Sequence, residues 1–197
     1  MSKRLFDWIL SSLGLLVLGP VLILVALAIK LDSPGPVFFR QERVGRWGHP
    51  FFIFKFRTMR HDPVGRGLQI TVGQDARITR VGGFLRASKI DELPQLIDVW
   101  VGTMSLVGPR PEVPRYVAVY PPELRDKILS VRPGITDIAS IEYRDESAVL
   151  ARAADPEQAY LHEVLPHKLA LSARYVDQAS VWTDLQLILR TLLAIVR

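Results

Sequence analysis

The sequence predicts a helix-dominated α+β fold in which an amino-terminal helical hairpin re-enters the membrane and a larger domain with a short β-hairpin follows. Three observations predict this arrangement. Leu5 to Ile29 is a run of 25 residues that contains one charge. Phenylalanine-rich runs between residues 37 and 57 favour two strands. Apolar residues recur at helical spacing from Leu93 onward.

The apolar run divides the chain into two predicted units. Residues 1–30, which contain the run, form a membrane segment, and residues 31–197 form a second domain. As one straight helix the run would be about 37 Å long, enough to cross a hydrocarbon core of about 30 Å. However, Pro20 has no N–H for the carbonyl of Leu16, and Gly19 before it is flexible. A bend at Gly19-Pro20 leaves two pieces that are each too short to cross a bilayer.

Basic residues flank the apolar run on both sides. Lys3 and Arg4 precede it, and Lys30 and Arg40 follow it. Because basic residues mark the cytoplasmic side of a membrane, a re-entrant hairpin that keeps both flanks inside is favoured. A kinked spanning helix and a buried core helix of a soluble protein remain as alternatives.

The composition narrows the kinds of site the chain can form. The absence of cysteine excludes disulfides, zinc–thiolate sites and cysteine nucleophiles. The net charge of +5 is uneven, because residues 40–90 hold eleven basic residues against three acids, a net +8, which leaves −3 elsewhere. This basic segment indicates an anionic partner: phosphate, nucleic acid or acidic lipid. Strand alternation places Lys55 and Arg57 on one face, either as a pair that binds substrate or as a solvated basic edge.

Asp91 and Glu92 directly follow the cations Arg86 and Lys89. Asp91-Glu92-Leu93-Pro94 predicts the start of a helix, with an apolar face of Leu93, Leu96, Ile97, Trp100 and Val101. One interpretation of Asp91 is therefore a helix cap. The other is chemical, because a helix N-terminus attracts phosphate and an ionised carboxylate can attack phosphorus to form an acyl phosphate. A divalent cation would relieve the repulsion between the two carboxylates.

Arg110 lies between two prolines, Pro109 and Pro111, which hold its backbone. This favours bidentate contact of its guanidinium with phosphate or carboxylate. Arg132-Pro133-Gly134 repeats the pattern, and both segments are also compatible with polar turns. The sequence has no Walker loop and no G-x-G-x-x-G motif, so any nucleotide would be bound by cationic side chains and helix ends.

Six motifs occur in order along the chain. They are Lys3-Arg4-x-Phe6-Asp7, Gly35-Pro36-Val37-Phe38-Phe39-x-Gln41-x-Arg43-x-Gly45, Lys55-Phe56-Arg57-Thr58-Met59, Asp91-Glu92-Leu93-Pro94-Gln95-Leu96, Met104-Ser105-Leu106-Val107-Gly108-Pro109-Arg110-Pro111 and Arg132-Pro133-Gly134-Ile135-Thr136. Together they resemble the bacterial sugar transferases known as small monotopic phosphoglycosyl transferases. The resemblance implies transfer of a sugar 1-phosphate from a UDP-sugar to undecaprenyl phosphate with release of UMP, which initiates assembly of O-antigen, capsule, exopolysaccharide or glycoprotein glycans. It also implies a re-entrant helix at the cytoplasmic face of the bacterial inner membrane.

The resemblance also implies roles for individual residues. Asp91 is expected to be the nucleophile that forms a covalent phosphosugar intermediate, with Glu92 assisting in metal binding or proton handling. Mg²⁺ is expected at Asp91 and Glu92. The resemblance gives Lys55, Arg86, Arg110, Pro111 and Arg144 as substrate-binding residues. The sequence pattern adds Arg57 on the face of Lys55, and Arg132 in the Arg132-Pro133-Gly134 segment.

The last predicted helix, Val181 to Val196, is apolar nearly all round but too short to span a membrane. It can contact the membrane, the protein core or a second protomer, and the last of these alternatives would give a homodimer. The main alternative function is a non-catalytic membrane-tethered module that binds anionic lipid or nucleic acid through residues 40–90. Nucleic acid is not the expected partner, because the two carboxylates beside that segment would repel its backbone. A membrane phosphatase or lipid kinase is a third hypothesis.

Overall fold

The computed structural model describes residues 2–60 and 75–196, apart from the side chains of residues 195 and 196. The helices are α1 Lys3–Asp32, α2 Arg80–Ala87, α3 Gln95–Val101, α4 Pro114–Val117, α5 Pro122–Leu129, α6 Ile138–Glu142, α7 Glu146–Leu150, α8 Pro156–Ala159, α9 Leu165–Gln178 and α10 Val181–Val196. The strands are β1 Phe38–Val44, β2 Pro50–Phe56, β3 Ser105–Val107 and β4 Gly134–Thr136. The helix-rich α+β class with a short antiparallel hairpin is therefore confirmed.

The amino-terminal segment is one long helix. α1 includes both Gly19 and Pro20, so the structure does not divide this segment into two helices, and the predicted re-entrant hairpin is not confirmed. A proline removes only one backbone hydrogen bond, and an apolar helix tolerates this loss because the turns on either side stay intact. By length and composition α1 is the one helix among residues 2–60 and 75–196 that could cross a membrane.

Both ends of α1 are held by the rest of the protein. Near its start, buried Asp7 accepts hydrogen bonds from the Ser105 hydroxyl and the Leu106 N–H, both at 3.1 Å. Near its end, Ile29 packs in a core with Phe56 and Leu85. The basic residues that the sequence places on the membrane flank are engaged with protein as well. Arg4, for example, donates to the carbonyls of Val99 and Trp100 at the end of α3.

The hairpin of β1 and β2 has the predicted antiparallel pairing, in the register Phe38↔Phe56 to Val44↔Pro50. Its inner face carries Ile53, which packs in a core with Val99 and Met104. The phenylalanines of β2 differ in burial, since Phe56 is buried whereas Phe52 is exposed.

A second pair of strands was not predicted. β3 and β4 run parallel, with Ser105 opposite Gly134 and Val107 opposite Thr136. Their backbones cross so closely at the ends that a Cβ atom on Gly134 would lie 2.1 Å from the Gly108 nitrogen. This crossing fixes the loop that leads from Gly108 to Arg110.

The last helix, α10, docks on the protein core through one face. Leu187 packs in a cluster with Val107 and Tyr175. Asp184 is fully buried and its carboxylate contacts the Lys3 amino group at 2.5 Å, which links α10 to the start of α1. The opposite face, with Leu189, is exposed.

Candidate active site

Asp91 and Glu92 lie in a tight 3₁₀ turn, Ile90–Glu92, and not in the first turn of α3. α3 begins only at Gln95, and Asp91 does not cap it. Lys89, just before the turn, has a left-handed backbone with φ 58°. The cap interpretation of Asp91 is therefore wrong, since the turn presents both carboxylates to β2 instead of to the N–H groups of α3.

The apolar face predicted for α3 is also partly wrong. Leu96 is buried as predicted, but Trp100 and Val101 are 47% and 62% exposed. The buried face centres on Gln95, Leu96, Asp98 and Val99. Trp100 and Val101 lie in the last turn of α3, and Gly102, left-handed at φ 101°, ends the helix directly after them.

Two predicted cations hold Glu92. Arg110 makes a bidentate contact, with Nη2 donating to Oε1 at 2.6 Å and Nη1 donating to Oε2 at 3.3 Å. The Lys55 amino group lies 2.8 Å from Glu92 Oε1 and 3.6 Å from Asp91 Oδ2. The structure thus brings together four residues that are separated by up to 55 positions in the sequence.

The two neighbouring carboxylates have opposite electrostatic environments. Burial would raise the pKa of Glu92, but the charges and hydrogen bonds of Arg110 and Lys55 hold it well below its ordinary value. Burial raises the pKa of Asp91, and the charge of Lys55 offsets this only in part. Glu92 is therefore a fixed anion, whereas Asp91 has the more basic carboxylate of the two and has no close partner at its Oδ1 among the described residues.

Two further predicted cations, Arg86 and Lys89, lie around Asp91, whereas Arg144 contributes a backbone carbonyl to Lys89. The charges of Arg86 and Lys89 both act on its carboxylate. The Arg86 guanidinium is also 3.5 Å from the Thr58 hydroxyl, and Lys89 Nζ is 3.5 Å from the backbone carbonyl of Arg144. The basic residues around the turn leave a cationic surface suited to a phosphorylated substrate.

A family model described as bacterial sugar transferase matches residues 1–197. The chain belongs to the bacterial sugar transferase family.

Named relatives of this sugar transferase agree with that family. It is 37% identical over 199 residues to a UDP-glucose:undecaprenyl-phosphate glucose-1-phosphate transferase of Xanthomonas campestris pv. campestris, a match that covers 96% of this chain and 38% of the relative. A protein of the same description from Caulobacter vibrioides is 38% identical, with 97% and 68% covered. A UDP-N-acetylgalactosamine-undecaprenyl-phosphate N-acetylgalactosaminephosphotransferase of Aeromonas hydrophila is 35% identical, with 96% and 42% covered. The chain thus spans between about two fifths and two thirds of the length of these relatives.

Two of the predicted substrate-binding arginines are placed elsewhere in the sugar transferase. Arg57 is buried and donates to backbone carbonyls at the end of α1, so it does not project beside Lys55. Arg132 donates through Nε to the carbonyl of Gly102 at 2.8 Å. Pro111 contributes its carbonyl oxygen, which accepts from Arg43 Nη1 at 2.9 Å. These contacts organise the loops around the site.

Sequence reasoning missed two buried acids behind the site. Asp137 accepts from the Arg110 N–H and caps α6 through the Ser140 N–H. Asp98 accepts from the Phe54 N–H at 2.8 Å, next to Lys55, and burial raises the pKa of Asp98 to about 6. The sequence signal for Asp98 was its position as a charged residue among the apolar residues of a short helix.

The carboxylates fit a magnesium ion only in part. Residues 2–60 and 75–196 hold no cluster of three acidic or histidine side chains. Both oxygens of Glu92 are occupied by Arg110, and one of them also by Lys55. Because Mg²⁺ in phosphoryl-transfer sites uses one or two carboxylates together with substrate phosphates and water, Asp91 fits as its protein ligand and Glu92 does not.

Proposed function

We propose that this sugar transferase moves a sugar 1-phosphate from a UDP-sugar to undecaprenyl phosphate and releases UMP. Family membership and the activities named for the relatives support this reaction. The observation that carries it is the contrast within the acidic pair: Glu92 is paired with two cations, whereas the Oδ1 atom of the buried Asp91 has no close partner among the described residues. Since glucose and N-acetylgalactosamine enzymes both occur among the relatives, the sugar is left open.

The reaction proceeds in two displacements at one phosphorus. In the first, an Asp91 oxygen attacks the phosphorus that bears the sugar, the bond to the bridging oxygen of the diphosphate breaks, and UMP leaves with that electron pair. In the second, a phosphate oxygen of the lipid attacks the same phosphorus and the Asp91 carboxylate leaves. A diphosphate-linked lipid results, and Asp91 is regenerated.

The neighbouring residues assist these steps electrostatically. The cations Lys55, Arg86 and Lys89 stabilise negative charge that develops on the transferred phosphoryl group. Glu92 keeps Lys55 and Arg110 in place through its ion pairs. A Mg²⁺ ion bound with Asp91 and the substrate phosphates would neutralise the charge of the diphosphate.

We further propose that the enzyme acts at the cytoplasmic face of the bacterial inner membrane as a monotopic protein. The apolar outer side of α1 supports membrane contact, with Leu16 78% and Leu31 89% exposed. The fixation of both α1 ends by one domain supports a helix that enters and leaves on the same side. Asp7 bonds to the Leu106 N–H at one end, and Asp32 bonds to the Val81 N–H at the other.

The nucleophile is tested with Asp91→Asn. Because Asp91 caps no helix, we expect the variant to fold but to lose UMP release down to background, since an amide is not a nucleophile at phosphorus. Wild-type protein incubated with a UDP-sugar labelled in its sugar phosphate should retain label after denaturation, and the variant should not.

Asp126→Asn, at an exposed position of α5, is the matched control and should keep full activity. Full UMP release by Asp91→Asn would contradict the assignment of the nucleophile. Release of inorganic phosphate, or a requirement for ATP, would indicate the phosphatase or kinase alternative instead.

A further inference from the structure

Four consecutive residues connect the acidic pair to the membrane helix. Lys55 contacts Glu92 and Asp91, and Phe56 packs with Ile29 of α1. Arg57 reaches the end of α1, and the Thr58 hydroxyl lies at the Arg86 guanidinium. In the chain from Lys55 to Thr58, the two outer residues therefore contact the catalytic site and the two inner residues contact α1.

Arg57 is the strongest link in this segment. Its side chain is buried, and its guanidinium donates to three backbone carbonyls at the end of α1: Ser33 at 2.7 Å, Ile29 at 3.4 Å and Pro34. Its own N–H donates to the carbonyl of Val37 at 2.9 Å. Ile29 lies in the last turn of α1, and Ser33 and Pro34 directly follow the helix, so a buried arginine that binds all three carbonyls ties the helix end and the chain leaving it to one side chain.

We propose that Arg57 is a positioning residue that fixes the height of the catalytic carboxylates relative to the membrane by clamping the end of α1 to β2. Arg57 touches neither substrate and acts through Lys55, two residues away, and through α1. This inference rests on the proposed function, because it assigns Arg57 to one half of that reaction.

The contact of Arg57 with the end of α1 should affect the reaction of the lipid substrate more than that of the UDP-sugar. A UDP-sugar arrives from water and reaches Asp91 at whatever height the site lies. The phosphate of a lipid carrier stays at the headgroup plane, so its approach to Asp91 depends on how deeply α1 seats the protein. Loosening the end of α1 should therefore impair the second displacement and spare the first.

The experiment separates the two displacements with Arg57→Leu. The first is measured without acceptor, as exchange of labelled UMP into UDP-sugar. The second is measured as transfer to undecaprenyl phosphate in vesicles of phosphatidylethanolamine and phosphatidylglycerol. We expect the exchange rate to stay within twofold of wild type and the transfer rate to fall at least about tenfold. Displacing a reacting group by about 1 Å is enough to slow a reaction by this factor or more.

Two further variants control for charge and folding. Arg125→Leu removes an arginine from the exposed surface of α5 and should change neither rate. Arg57→Lys keeps the positive charge but not the planar guanidinium, so its transfer rate should lie between those of Arg57→Leu and wild type. If Arg57→Leu fails to fold, Arg57→Lys is compared with wild type in its place.

The outcomes discriminate clearly. Selective loss of transfer with rescue by lysine supports the clamp. An equal loss of exchange and transfer in both Arg57 variants, or no loss in either, overturns it. If wild-type protein exchanges no UMP, the proposed function itself fails and the clamp falls with it, whereas exchange in wild type leaves the proposed function standing whatever Arg57 does.

Discussion

At the scale of single residues, burial has the largest effect on the pKa of Asp91. The sequence predicts a carboxylate kept ionised by Arg86 and Lys89, and both cations do act on it. Burial nevertheless outweighs them and raises the pKa of Asp91. Sequence neighbours reveal charge but not desolvation, which depends on what packs over the side chain. A higher pKa makes Asp91 a stronger nucleophile once it is ionised, at the cost of a smaller ionised fraction in acid.

Lys55 should set where the rate falls on the acid side. Lys55→Met removes the cation that most strongly lowers the pKa of Asp91, so this pKa should rise further. Because the proposed reaction uses the ionised form of Asp91 as the nucleophile, the acid limb of the rate of UMP exchange should move to higher pH. The measurement is the exchange rate as a function of pH. Lys127→Met, at an exposed surface ion pair, is the control, and an unmoved acid limb in Lys55→Met would count against Asp91 as the titrating group.

The arginines show how far sequence reasoning reaches into the site. The prolines around Arg110 predicted bidentate contact of its guanidinium with phosphate or carboxylate, and the structure shows such a contact with Glu92. The position of Arg57 was not predicted, because its partners belong to Ile29, Ser33 and Pro34, and strand alternation says nothing about a residue just past the last position of β2. Local pattern thus located the residues held by their own loop and missed the one held by a distant helix end.

At the scale of elements, the long periodic segments were predictable and the short ones were not. The β1–β2 hairpin and α10 follow from alternation and hydrophobic length. The length of the apolar run also predicts helix over α1, but not that the helix continues through Gly19 and Pro20. β3 and β4 have three residues each and exist because two loops cross closely at Gly108 and Gly134, which no local pattern announces. The start of α3 was misplaced by four residues, because Asp91 occupies a separate turn.

A pair of adjacent glycines tests close packing of α2. A Cβ atom on Gly82 would lie 1.9 Å from the Thr58 carbonyl oxygen, whereas one on Gly83 finds nothing nearer than 3.9 Å. Gly82→Ala should lower the free energy of unfolding by about 1–3 kcal/mol, since the backbone must shift. Gly83→Ala should be neutral or stabilising by up to about 1 kcal/mol through helix propensity. Thermal unfolding in detergent compares the two, and equal Tm values would refute the close contact.

At the scale of the whole molecule, the exposed apolar side chains are most numerous on α1. α1 alone carries eleven large exposed hydrophobic residues, and α10 carries five. Among the described residues seven more lie between Phe38 and Val101, and two, Val119 and Val149, lie over residues 102–180. Soluble proteins rarely expose so large an apolar surface on one helix, which supports the proposed contact of α1 with the membrane.

The exposed apolar surface of α1 leads to a prediction about topology. The chain has no cysteine, so Ser2→Cys and Pro36→Cys each introduce a single thiol at an exposed position flanking α1. Because both ends of α1 bind one domain, a membrane-impermeant maleimide should label both variants in inverted inner-membrane vesicles and neither in spheroplasts. Arg125→Cys reports the side on which the domain lies. Labelling of either flank from the outside of spheroplasts would instead require a spanning helix, and the contacts of Asp7 and Asp32 could then not exist together in the membrane.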